Sequence, residues 1–165
     1  MIEIAVAIAV LAIVGASTSA LLATSTSSSE RNREAALAYE AVQGMLDELQ
    51  ACPRAEVFSR YNATVADDPA AGDSPGNAFD VQGLAPIAID PDGRVGLIEF
   101  PGNGVQLLET YVDRDLGCPR DLNGDGDMDL LPIDHSLDYV ALPVRVTVTY
   151  RTGARGRTVS FVTML

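Results

Sequence analysis

Residues 1–23, MIEIAVAIAVLAIVGASTSALLA, decide how the rest of the chain is read. From Ile4 to Ala23 twenty residues pass without a charge, and as a helix they reach about 30 Å, the thickness of a hydrocarbon core. A single acid, Glu3, stands at the mouth of this run. An ionised carboxylate there is costly unless water or a partner satisfies it. A cleaved secretory signal begins with basic residues, whereas the one early charge here is negative, so a spanning segment is the better reading. Arg31 and Arg33 follow the run and nothing basic precedes it. On these residues alone the positive-inside rule holds the C-terminal part in the cytoplasm; a basic leader removed in maturation would reverse that orientation.

Beyond the apolar run, TSTSSSERNREAALAYEAVQGMLDELQA keeps helical spacing, with Ala38, Val42, Met45, Leu46 and Leu49 recurring at offsets of three and four. No proline occurs in residues 1–52. The Ser/Thr stretch from Ser17 to Ser29 is weakly helix-forming and could loosen the helix, or Ser29 could cap a separate second one. A continuous helix would run for about 75 Å, and the Cys52-Pro53 step ends it. Residues 1–52 thus form an assembly and membrane segment, and 53–165 a globular head.

Composition narrows the possible partners. The 165 residues carry 11 basic and 23 acidic groups, a net charge of −12 with a pI near 4.2, and offer no basic cluster for a phosphate backbone, so nucleic acid is not a structural partner. All the basic residues are arginine. The acidic surplus repels the head from its own copies and from anionic headgroups, so close assembly needs apolar contacts or cations. The two cysteines, Cys52 and Cys118, have no metal-ligand spacing. Outside the cytoplasm they are expected to pair, which would stabilise the fold by about 4 kcal/mol in the chain-entropy account; the alternative is two unrelated buried thiols.

Within the head, residues 53–92 are rich in Pro, Gly, Asp and Ala, show no sustained period, and read as a long surface connection. Strand character follows at 94–100 (RVGLIEF), 105–113 (VQLLETYVD) and 139–150 (YVALPVRVTVTY). In the last, Val144, Val146, Val148 and Tyr150 alternate with Arg145, Thr147 and Thr149. A loop, RTGARG, leads into RTVSFVTML, which alternates through Val159, Phe161 and Met164, giving a hairpin and hence an antiparallel sheet with one solvated face. The Ala38 to Leu49 stripe is the available cover for the other face. The predicted class is α+β, a long N-terminal helix packed on a small C-terminal antiparallel sheet.

The N-terminal MIEIAVAIAVLAIVGA and the C-terminal VRVTVTYRTGARGRTVSFVTML resemble type IV pilins and the pseudopilins of type II secretion systems. The clear resemblance covers the first 50 residues or so, with a weaker echo at the end. It implies a subunit processed by a prepilin peptidase, held by a single pass in the inner membrane, and then assembled with identical or sibling subunits into an extracellular pilus or a periplasmic pseudopilus. It gives Glu3 a partner, the N-terminal amine of a neighbouring subunit within an apolar helix bundle. In the family the glutamate stands two residues deeper in the mature chain. The resemblance therefore implies either a leader and two residues before Met1 or a shifted register. The helix-kinking proline frequent in the family is absent.

A second conspicuous stretch is DLNGDGDMD, residues 121–129. Asp121, Asn123 and Asp125 stand on alternate positions with Gly126 at the sharp turn, as the first half of an EF-hand or dockerin loop requires for calcium. Asp127 could add its backbone carbonyl and Asp129 a direct or water-bridged contact. Pro132 occupies the position of the usual late carboxylate, a role left to Asp134 or Asp138. The bland reading is a solvated acidic turn. Catalysis has little support: His135 has no adjacent nucleophile and reads as a surface residue or a minor hydrogen-bond donor, and no glycine loop carries a phosphate-binding pattern. The expected function is structural, a filament subunit. The alternative is a membrane-anchored, extracytoplasmic adhesion module stabilised by calcium.

Overall fold

The computed structural model describes residues 2–64, 67–68, 75–88 and 93–165. The chain divides into two compact units, Met1–Ala36 and Leu37–Leu165. Helix α1 spans Ile2–Ala51 without a break, so the separate second helix capped by Ser29 does not form. The Ser/Thr stretch stays helical, and five of its hydroxyls bond inward. Ser17, Thr18, Ser19, Thr24 and Thr26 each donate to the carbonyl four residues back, at 2.7–3.2 Å, so these polar groups are satisfied without interrupting the helix. The helix stops at Ala51, as the strain before Pro53 dictates.

Pro53 opens a second helix, α2, over Arg54–Tyr61, which corrects the expectation of an unstructured connection from residue 53. It is short, with Glu56 in its first turn and Arg60 in its last, paired at 2.8 Å and complementary to the helix dipole. Val57, Phe58 and Tyr61 are buried, and Tyr61 Oη donates to Glu48 Oε1 on α1 at 2.8 Å. Of the rest of the expected connection, residues 65–66, 69–74 and 89–92 lie outside the described residues.

Four antiparallel strands follow in sequence order: β1 (Ala78–Phe79), β2 (Gly96–Glu99), β3 (Pro143–Thr152) and β4 (Arg155–Met164). The register pairs Ile98 with Val146 and Val146 with Phe161. Val144, Val146, Val148 and Tyr150 are buried as the alternation predicted. They join Ala38, Val42 and Leu49 of α1, the apolar side chains of α2, and Ile98 and Phe100 in one core. Within it Phe58 meets Phe100 edge-on at 5.4 Å, and outside it the exposed Tyr39 of α1 meets the edge strand's Phe161 at 6.1 Å. The β3–β4 turn is tighter than the RTGARG loop expected. Thr152 pairs with Arg155, leaving Gly153 and Ala154 between them, and Gly153 takes φ +59° as a two-residue hairpin turn demands.

Residues 105–113 form no strand. Their pairing is reduced to the isolated bridges Gly102↔Leu107 and Asp113↔Cys118. The alternation there is real, since Leu107 and Glu109 are buried, but its partner is the backbone of a later loop. Asp134 Oδ1 accepts from Leu107 N at 3.1 Å, and His135 N donates to Leu107 O at 2.9 Å. The expected disulfide is also absent. Cys52, half-buried at the end of α1, and Cys118, buried in the turn after Leu116, are free thiols. Cys52 lies among Glu48, Glu56 and Arg60, and Cys118 among Asp113, Leu116 and Arg120. Burial in these two settings raises both thiol pKa values.

Candidate functional site

Two regions carry functional potential, one in each unit. In the first, every residue from Ile2 to Thr26 is exposed, including Ile2 at 82% and Leu11 at 78%. The helix is long and apolar enough to cross a membrane. Glu3 lies in its first turn, where the partial positive charge of the helix N-terminus favours a carboxylate.

The second region is the loop from Asp121 to Asp138, closed from inside by an acid that the sequence reading did not single out. Glu109, only 2% exposed, accepts three backbone N–H bonds from this loop. Oε1 takes Leu122 N at 2.7 Å and Asn123 N at 3.2 Å, and Oε2 takes Asp129 N at 3.1 Å. A carboxylate has the lone pairs for all three, and no neutral side chain of similar size does. The segment that carries Glu109 is pinned in turn. Asp113 accepts from Asp115 N and Leu116 N and pairs with Arg145 at 2.9 Å, while Arg145 also pairs with Glu99 at 2.8 Å. The N–H of Leu116 and the guanidinium of Arg145 hold the Asp113 carboxyl below the usual carboxylate range against the effect of burial.

His135 is not a surface residue; it is 3% exposed. Nε2 meets Asp129 Oδ2 at 2.7 Å, Nδ1 meets Asp138 Oδ1 at 3.1 Å, and Glu109 Oε1 lies 3.9 Å from Nε2. Burial opposes the charged ring, but the hydrogen bonds from Asp129 and Asp138 and the field of Glu109 outweigh it, so the pKa is raised. A neutral imidazole has one N–H and can serve only one of these carboxylates as donor; the imidazolium serves both.

The five residues expected to bind calcium divide. Asp121, Asn123, Asp125 and Asp127 share one turn, with Asp121 accepting from Gly124 N at 2.6 Å and from Gly126 N at 2.9 Å. Asn123 Oδ1 accepts from Asp125 N, and Asp125 Oδ1 from Asp127 N, both at 2.9 Å. The N–H of Asp127 and the side-chain amide of Asn123 draw the Asp125 carboxyl below its ordinary pKa. Gly126 takes φ +92° at the sharp turn, a conformation that favours glycine. Asp129 turns away to His135, and the two acids named for the late position are engaged elsewhere, Asp134 with Leu107 and Ser136 and Asp138 with His135. Single ligand atoms of Glu109, Asp129 and His135 lie within 4.8 Å of one another, a spacing that could also hold a metal ion. The 2.7 Å Asp129–His135 contact and the three N–H bonds to Glu109 suit a shared proton better.

The signals for Glu109 and His135 were present in the sequence. Glu109 is an acid inside an apolar alternating run, and His135 is flanked by carboxylates at 129, 134 and 138. No family model, curated protein or solved structure matches the chain.

Proposed function

We propose that the chain is a structural subunit of a type IV pilus-like filament or a type II secretion pseudopilus, held in a membrane by the apolar part of α1 and assembled with identical or sibling subunits through that same part. The observation that carries this reading is the change of surface along one unbroken helix. It is exposed and largely apolar from Ile2 to Leu22, with Glu3 its one charge and Ser17, Thr18 and Ser19 its polar residues, and it is built into a protein core at Ala38, Val42 and Leu49. Exposed apolar surface on this scale calls for lipid or other helices around it. Glu3 is the assembly residue, neutralised by a neighbour's N-terminal amine, and prepilin peptidase is the processing partner. Before assembly the subunit resides in the inner membrane with its head outside the cytoplasm. Calcium at Asp121, Asn123, Asp125 and Asp127 would be structural, fixing a turn of the head and offsetting its negative charge.

The test is Glu3→Ala in the full chain. Membrane insertion should persist, while filaments in sheared cell-surface or periplasmic material fall sharply on electron micrographs. An unchanged filament yield removes the paired-charge role. A wild-type chain that stays a single molecule in lipid under every condition favours the adhesion module instead.

A further inference from the structure

The loop between the cation-type turn and β3 carries its apolar side chains outward. Leu130 is 96% exposed, Leu137 99% and Leu131 69%. The exposed carboxylates of Asp127, Asp134 and Asp138 surround them in sequence. This backbone is clasped by Glu109, His135 and Asp134, so the leucines are held out in water by a fixed scaffold. That arrangement raises the free energy of the isolated head unless something covers it.

The location of this patch narrows the choice of cover. Val140 N and Ala141 N both donate to Leu122 O, Leu142 and Leu165 exchange backbone hydrogen bonds, and Arg120 reaches Met164. The leucine loop therefore adjoins the Pro143/Met164 end of the hairpin. The other end carries Arg151, Arg155 and Arg157, all exposed and without an ion pair among the described residues, and no acid occurs anywhere in residues 139–165. Ten paired positions separate the two ends, about 30 Å of strand.

We propose that the hairpin tip of one copy docks on the 127–138 loop of the next, in the filament on which this inference rests. The guanidiniums meet the Asp127, Asp134 and Asp138 rim while their aliphatic stems and Ala154 cover the leucines. The two surfaces differ and lie at opposite ends of the same ladder, so the contact is heterologous. It repeats from copy to copy as a row and does not close into a symmetric pair. It also places the basic end of one head against the acidic end of another, offsetting the mutual repulsion of chains with a net charge of −12. The acidic rim disfavours an anionic lipid surface as the cover.

The experiment uses full-length chains with Cys52 and Cys118 changed to serine, one carrying Leu137→Cys and the other Ala154→Cys, co-expressed in one membrane and mildly oxidised. A disulfide-linked adduct is expected from the mixture and not from either variant alone, and Arg155→Glu with Arg157→Glu should reduce it about tenfold. Self-linking of the Leu137→Cys variant as strong as the mixed adduct overturns the inference, because it marks a symmetric face. Filaments on micrographs with no mixed adduct overturn it while leaving the filament reading intact. Single molecules with no adduct overturn both.

Discussion

Glu109→Gln is the substitution that best tests the account of the head. Gln retains the shape and one acceptor, but its amide nitrogen must face either the pair of N–H groups at Oε1 or the one at Oε2. The less damaging orientation keeps the bonds from Leu122 and Asn123 and sets a donor against Asp129 N. An unsatisfied buried donor costs ~1–3 kcal/mol, and His135 loses a charge 3.9 Å from its ring, so the total should be ~2–4 kcal/mol. For a domain of this size that lowers the melting temperature by about 8–15 °C. Thermal unfolding of the full chain in detergent, followed by circular dichroism, gives the magnitude, and hydrogen exchange at the amides of Leu122, Asn123 and Asp129 gives the location. A melting point within about 2 °C of wild type, with those amides still protected, would refute the reasoning that the loop is closed by a carboxylate.

Three further outcomes are expected. The raised pKa of His135 means that its stabilising contribution is fully present below the unfolded value of about 6.5 and is lost as pH rises through the folded value. His135→Gln should flatten the melting profile in that window, and a wild-type profile already flat there contradicts the clasp. Gly102 sits at φ +150°, and a Cβ there would collide with the backbone oxygen of Gln106; Gly102→Ala should therefore cost about 2–3 kcal/mol, measurable by urea unfolding and contradicted by an unchanged midpoint. Calcium at a hundredfold excess over its dissociation constant should stabilise the head by ~2.7 kcal/mol, with the gain reversed by chelator and reduced in Asp125→Asn; a melt indifferent to both removes the ion.

The elements with a strong period were readable from the sequence. The helix and its end at Pro53 follow from apolar spacing and proline sterics, and β3 from its alternating valines. The eight residues of α2 are too few for a period to stand out, although Val57, Phe58 and Tyr61 already lie on one helical face. Residues 105–113 misled because alternation reports which side chains turn inward and leaves open what the backbone bonds to. The loop's acidic turn was legible as a cluster of oxygens. Its clasp was not, because Glu109 lies 26 residues from His135 in sequence and only the fold sets them 3.9 Å apart. The cysteine pairing was no more legible, for a related reason: two thiols in one chain carry no information about distance.

The inward-bonded hydroxyls of α1 have a consequence for transport between media. Because Ser17, Thr18, Ser19, Thr24 and Thr26 each spend their hydrogen on a carbonyl of their own helix, this part of the rod needs no water or polar lipid to accept those five hydrogens. Drawn out of one greasy surrounding and laid into another, it breaks none of these bonds on leaving and needs no replacement for them on arrival, so the traffic is close to neutral in either direction.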